Sequence, residues 1–205
     1  MGRAHESSES LDCFAALCYL FNDGDGPARA LLQGVAEHPL APLLWHGCVP
    51  SQGGKAANAA SGLFEELLCL VDELVEAELP LVASSLRRAG IYSALLTSRW
   101  LRQNWLNVLP WPQLTRAFVL PIIAGAQYQA YLCVAAWRHL SADVCKRSSS
   151  GDLLLFLLMG DALQDFQPCK ELGYMRQLEW RHGAACMRRL RCHTQPAGAC
   201  CKASA

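Results

Sequence analysis

The stretch Leu96-Thr97-Ser98-Arg99-Trp100-Leu101, followed by Leu109-Pro110, Arg116 and Gly125, decides how this chain is read. Ser98 is of the type whose hydroxyl accepts a hydrogen bond from the free amides of a first helical turn. Leu101, Trp105, Val108 and Leu109 then share one helical face, and Pro110 lacks the amide needed to continue the ladder. The spacing predicts a helix capped by Ser98 and stopped at Pro110. Pro112 suits the first turn of the next helix, which runs toward Gly125.

Working outward toward the N-terminus, Pro80 starts a helix that Gly90 terminates just beyond Arg87 and Arg88. Before it lies the clearest amphipathic segment of the chain. Ser61 is placed to cap it; Phe64, Leu67, Leu68, Val71, Leu74 and Val75 form an apolar stripe. Glu65, Glu66, Asp72, Glu73 and Glu76 take the other side. The span 38–60 holds three prolines and three glycines and reads as a loop or insertion. Ser10 can cap a first helix carrying Leu11, Phe14, Ala15, Cys18 and Leu20, closed by Asn22-Asp23-Gly24. Pro27 opens a short second helix reaching about Glu37.

Toward the C-terminus, a longer helix covers roughly Gln127 to Cys145, and Lys146 to Gly151 makes a hydrophilic turn. Asp152 opens an apolar helix to about Leu163. A last amphipathic helix near Cys169 to Arg191 carries five arginines. No strand-like alternation persists anywhere, so the fold class is all-α, an array of about eight or nine helices. The organisation is a polar segment over 1–10, a helical domain over 11–166, a C-terminal amphipathic helix over 167–191 and a disordered tail over 192–205.

Bulk composition narrows the function classes. The chain has 205 residues, with 18 basic and 18 acidic side chains, so it carries no broad electrostatic footprint for nucleic acid. Hydrophobic content of 52% against 18% charged suggests either a helix-rich interior or a surface that a partner covers. The eleven cysteines are an odd number, and Met1 to Ser10 is polar with no signal-peptide pattern, which favours reduced cytosolic thiols over a disulfide framework. Cys13, Cys18, Cys69 and Cys133 sit among apolar neighbours and read as small core hydrophobes. Ala117 to Trp137 is about long enough to span a bilayer, but Pro121 and Gly125 interrupt it and Gln127 and Gln129 are polar. Two packed helices joined at Gly125 is the better account.

Several segments in turn, Leu70-Val71-Asp72-Glu73-Leu74, Gly90-Ile91, Ser98-Arg99-Trp100, Leu109-Pro110, Arg116 and Gly125, make an ordered set. In that order they resemble the C-terminal half of a TBC domain, the helical module that accelerates GTP hydrolysis by Rab-type GTPases. The resemblance covers roughly Leu11 to Phe166 and is strongest from Leu63 onward. The run Tyr128-Gln-Ala-Tyr-Leu-Cys-Val-Ala, ending in Arg138-His139-Leu140, is most similar to the divergent TBC module of the broad-minded type, which is associated with ciliary signalling.

Two departures qualify what the resemblance implies. The family places an arginine finger in an isoleucine-x-x-aspartate-x-x-arginine motif and a glutamine finger in tyrosine-x-glutamine; neither string occurs in these 205 residues. By the family's order both would precede Leu11. Where the family commonly has tryptophan-aspartate after the Arg116 equivalent, this chain has Phe118-Val119. The resemblance thus implies a catalytically incomplete module, with no catalytic residue, that binds a small GTPase of the Rab type or a scaffold protein. The expected setting is cytoplasmic, in trafficking or ciliary signalling. The family fold packs N-terminal helices against this lobe, so apolar surface is expected to stand uncovered here.

Ser98, Arg99, Trp100, Leu109, Pro110, Arg116 and Gly125 are accordingly family-motif residues with structural roles. Arg99 and Arg102, one turn apart, are partner-binding candidates, against a solvated face or local ion pairs. Trp100 and Trp105 could anchor an interface, but their spacing favours core packing for at least one; Trp111, between two prolines, covers the core from a turn. Arg181, Arg188, Arg189 and Arg191, with His182 and His193, are the one basic concentration. They read as a hydrated helix or as a binder of acidic lipid or of a partner's acidic strip. Cys186, Cys192, His193, Cys200 and Cys201 lack the close pairs of common zinc sites, and no metal or cofactor is expected. Cys200-Cys201 stands wrongly for prenylation but leaves palmitoylation open. Membrane association is expected to be peripheral at most. A structural interaction domain without GTPase contact and a membrane-embedded helical protein are the alternatives.

Overall fold

A computed structural model describes residues 13–22, 24–37, 41–44, 53–147, 150–159 and 161–194, and among these there is no strand. The helices are α1 over 13–20, α2 (Asp25–Ala36), α3 (Ala41–Leu44), α4 (Gly53–Glu78), α5 (Pro80–Arg88) and α6 (Ser93–Arg102). They continue with α7 (Trp111–Ala124), α8 (Tyr128–His139), α9 (Ser141–Lys146), α10 (Ser150–Leu158) and α11 (Leu172–Thr194).

The longest helix, α4, organises the array. Its side chains Leu63, Phe64, Leu67, Leu70, Val71, Leu74 and Val75 are buried at three- and four-residue spacing, the mark of a helix with one inward face. Against it lie α3, α5, α6, α8 and α11. The second centre is α8, where every residue from Tyr128 to Trp137 is buried. Such a helix has no polar face to give to water; α4, α7 and α11 enclose it. The small side chains Ala130, Cys133, Ala135 and Ala136 suit close approach of those neighbours.

Where α6 meets α8, three tryptophans pack together. Trp100 lies 5.5 Å from Trp105 and 5.1 Å from Trp137, centroid to centroid. The Trp137 indole Nε1 donates to the Thr97 hydroxyl at 3.1 Å, which satisfies a buried donor inside the core. Both Trp100 and Trp105 are therefore core residues. On another side, α1 is seated on α7 through Phe14–Phe118 and Phe21–Phe118 ring contacts of 5.2 and 5.1 Å. Phe118 fills the position where a tryptophan-aspartate pair was the family pattern, and the aromatic packing gives it a role.

The expected starts and stops held at several places. Gly90, at φ 67°, ends α5 in a Schellman motif: its amide bonds the Arg87 carbonyl and the Ile91 amide bonds that of Leu86. Gly125, at φ 112°, separates α7 from α8, as the reading of 117–137 as two helices required. No helix among the described residues is long and apolar enough to cross a membrane.

Other boundaries moved. Ser98 does not cap a helix; it lies inside α6, which begins at Ser93 and ends at Arg102. Tyr92, extended at ψ 130°, precedes the first turn, and a second Schellman motif sets the end. Asn104 adopts φ 46° where glycine is usual; its amide bonds the Leu101 carbonyl, and that of Trp105 bonds Trp100. The chain then turns through positive φ again at Trp105 and Asn107, both 64°, so Leu101 and Leu109 do not share a helix. Helix α4 starts at Gly53 rather than at Ser61. The prolines and glycines that suggested a loop over 38–60 all lie at or before Gly54, and the six residues after it include four alanines, the best helix former. The long helix expected from Gln127 to Cys145 is divided at Leu140 into α8 and α9, and α10 ends at Leu158 rather than near Leu163. Helix α11 reaches Thr194, so Cys192 to Thr194 belong to it and not to a tail. Ser10 and Leu11, Cys48, Cys200 and Cys201 lie outside the described residues.

Candidate functional site

Helix α7 carries apolar side chains on two sides. Leu114, Ala117, Phe118 and Pro121 face the core. Trp111, Val119, Ile122 and Ile123 face outward, and Ile123 is 80% exposed. Trp111 meets the Phe21 ring on this side, and Ile123 is the most open of the four. Together with Pro168, Cys169 and Leu172, the α7 residues Thr115, Arg116, Val119, Leu120 and Ile123 line an open apolar groove of about 320 Å³. Arg116 is the one charged side chain of that lining, and its Nη1 donates to Gln113 Oε1 at 3.1 Å along the same helix. The groove holds no pair of groups suited to proton transfer or nucleophilic attack. Its lining is almost entirely apolar.

A second, smaller recess of about 160 Å³ lies where α4 meets α5 and the start of α6. Its carboxylates are already engaged: Glu76 takes Arg87 at 2.5 Å, and Asp72 accepts from the Ser93 hydroxyl. Tyr92 stands 77% exposed at its edge.

The motif residues named from sequence fall into distinct places. Trp100 and Leu109 are buried, Ser98 is half-buried in α6, and Pro110 precedes the first turn of α7. Arg116 rims the apolar groove, and Gly125 provides the turn. Arg99 and Arg102 are both exposed on α6 but lean apart. Arg99 Nη1 reaches the Leu158 carbonyl at 3.5 Å, where a cation complements the end of α10. The Arg102 guanidinium sits 5.6 Å from the centroid of Phe64 on α4. The structure thus puts the two arginines on one helix without bringing them to one site.

The basic concentration of α11 is divided. Arg189 bonds both Glu66 and Glu73, while Arg181 and His182 reach Glu78 at 2.9 and 2.7 Å. The acidic strip that three of these basic groups meet is the polar side of this chain's own α4, while Arg188 and Arg191 are exposed, so the hydrated-helix reading applies to only part of the concentration. The Glu73 and Glu66 carboxylates push the Arg189 guanidinium further toward its charged form. Tyr128 donates to Glu179 Oε2 at 2.6 Å, and burial, with that bond, pushes its phenol up to about 12. Trp111 is the first residue of α7 rather than a turn residue and contacts Phe21 at 5.1 Å.

The cysteines sort by environment. Cys18, Cys133 and Cys186 are buried, while Cys69, Cys145, Cys169 and Cys192 are exposed. Burial pushes the Cys18 thiol up to about 11 and raises Cys133 as well. Cys69 was expected in the core; it stands on the outer side of α4, one residue off the apolar stripe. Among the described residues no cluster of histidine, cysteine or carboxylate side chains could hold a metal ion.

The outer row of α7 was missed from sequence. Its signal was there: apolar residues occur around the whole of α7, more than one inward face requires. Only knowledge of which neighbours exist shows which side is left over.

Comparison with known proteins follows the same outline. The family model described as the broad-minded protein Rab TBC domain matches residues 4–192. Protein broad-minded of Danio rerio is 32% identical over 173 residues, which is 82% of this chain and 13% of that protein. Protein broad-minded of Mus musculus is 29% identical over 121 residues, 59% of this chain and 9% of that protein. The chain therefore corresponds to a small part of these relatives. No solved structure matches. The all-α array, its glycine-isoleucine and leucine-proline boundaries and the match along nearly its whole length lead to one conclusion: the chain belongs to the broad-minded Rab TBC domain family.

Proposed function

We propose that this chain acts as a TBC-type module that binds a protein partner, a small GTPase of the Rab type or a scaffold, without accelerating GTP hydrolysis. The observation that carries the reading is the apolar groove along α7, left open among the described residues, which offers a partner burial and no chemistry. The absence of both finger strings from these 205 residues supports the second half. An arginine finger alone contributes roughly 10³–10⁵ in rate, so a module without one has little left with which to stabilise the transferring phosphoryl group. Arg99 and Arg102 remain candidates for a charged rim on α6. Trafficking or ciliary signalling is the proposed setting.

The test has two arms. Single-turnover GTP hydrolysis with a panel of Rab proteins should show no stimulation by the chain; stimulation above the intrinsic rate would overturn the non-catalytic reading. A pull-down with the same panel, loaded with a GTP analogue or GDP, should retain at least one Rab in a nucleotide-dependent way and lose it with Ile123→Asp. Retention that ignores the nucleotide would favour the scaffold partner, and retention unaffected by Ile123→Asp would remove the groove from the account.

A further inference from the structure

Helix α11 has three unlike sides. One packs into the core through Met175, Leu178, Cys186 and Leu190, each nearly fully buried. A second is tied to α4 by Arg181, His182 and Arg189. The third points away from the array and holds Arg176, Trp180, Ala184, Arg188 and Arg191, all exposed. Trp180 is 86% exposed, the most exposed of the large hydrophobic side chains among the described residues. The helix contains one acidic residue, Glu179, and that carboxylate is turned aside to Tyr128. The outward side therefore carries three arginines with an indole among them, and the helix's one carboxylate is engaged by Tyr128.

We propose that this outward side of α11 docks on an anionic phospholipid surface. Of the outward arginines only Arg188 and Arg191 are three residues apart; Arg176 stands roughly three turns from Arg188, beyond Trp180 and Ala184, so the cations form no continuous three-and-four comb for a rigid acidic helix to register on. Lipid headgroups diffuse and need no register. From Arg176 to Arg191 the helix presents an outward ridge about 22 Å long. Tryptophan is the side chain that settles at the headgroup level, with its ring toward the acyl chains and its N–H toward water. Arginines on either side supply the attraction to phosphate and serine headgroups. The ion pairs to α4 hold the ridge in place, because they fix the rotation of α11 about its axis and so keep the outward arginines outward. This surface is distinct from the α7 groove and does not require it.

The test is co-sedimentation of the 205-residue chain with vesicles of phosphatidylcholine, with or without about one third phosphatidylserine. The chain is expected to pellet with the serine-containing vesicles at low salt, not with phosphatidylcholine alone, and to be released as salt rises. Each arginine near such a surface contributes roughly fivefold in partition, so Arg176→Glu combined with Arg188→Glu should lower binding tenfold or more. Trp180→Ala should lower it severalfold. These side chains are exposed, so circular dichroism of the variants should match the parent chain and separate lost docking from lost folding. Equal pelleting with neutral vesicles, or no loss in the double variant, would overturn the proposal. So would absence of vesicle binding together with retention on a glutamate-rich peptide that the double variant abolishes, which would assign the ridge to an acidic protein instead.

Discussion

Helices α7 and α8 are the two halves of one apolar run, yet they have opposite surroundings. In α8 every residue from Tyr128 to Trp137 is buried. In α7 the inward side chains are equally buried, but Val119, Ile122 and Ile123 face outward. Composition does not distinguish the halves; neighbours do. α8 is enclosed by α4, α7 and α11, whereas α7 has α8 and α1 on one side and an open groove on the other. The difference separates apolar surface that holds the fold together from apolar surface that the described chain leaves exposed.

Breaking the covered half should have the largest effect. Trp137→Ala removes an indole packed on Trp100 and leaves the buried Thr97 hydroxyl without its donor, and should cost ~3–5 kcal/mol, measured by urea unfolding. A loss under about 1 kcal/mol would mean that α8 is not the centre of the core. Next comes the joint between the halves. Gly125 sits at φ 112° and ψ 147°, a conformation essentially restricted to glycine, and an added Cβ would meet the Gln127 side chain at 2.5 Å. Gly125→Ala should therefore cost about 1–3 kcal/mol, while Gly26→Ala, in open space within α2, should not destabilise.

Alkaline pH probes groups protected by the same packing. The folded chain holds the Cys18 and Tyr128 protons more tightly than the unfolded chain does, because both groups have raised pKa values. Stability is fully present below pH 9, where both states keep these protons. It should decline from pH 9 toward about 11 through Cys18, and from pH 10 toward about 12 through Tyr128. Unfolding midpoints that stay flat across that range would contradict the burial of α1 and α8. Smaller still is the cover over α8 that α11 provides. Arg189→Ala frees Glu66 and Glu73 from a partly exposed pair and should cost about 1 kcal/mol, less in high salt. At the uncovered half the expected effect on stability is the smallest. Ile123→Asp should stay within about 0.5 kcal/mol of the parent chain, read by the same urea unfolding. A large destabilisation would show that the groove is internal packing rather than a binding surface.

Much of the array was legible in the residues. The α4 stripe follows from three- and four-residue spacing, Pro80 and Pro112 mark helix starts, and Gly90 and Gly125 mark ends, because each rests on a local steric or hydrogen-bonding rule. The Ser98 boundary was misread because a serine can sit within a helix as well as cap one, and nothing near it in sequence distinguishes the two. The stop at Arg102 depends on Asn104 adopting a left-handed backbone that its short polar side chain permits but does not impose. Trp105 beside it stands at φ 64° with its ring buried against Trp100, a backbone conformation that its own residue type does not favour.

By itself the sequence determined helical class, the apolar face of α4, the family motifs and the absence of both finger strings, since periodicity, turn chemistry and motif order are local properties of a chain. The tertiary structure decided which arginines of α11 close on α4 and which face outward, and which side of α7 is the more open among the described residues. Those outcomes depend on long-range neighbours: a side chain becomes core, clasp or binding surface according to what packs against it, and no spacing rule along one helix specifies that.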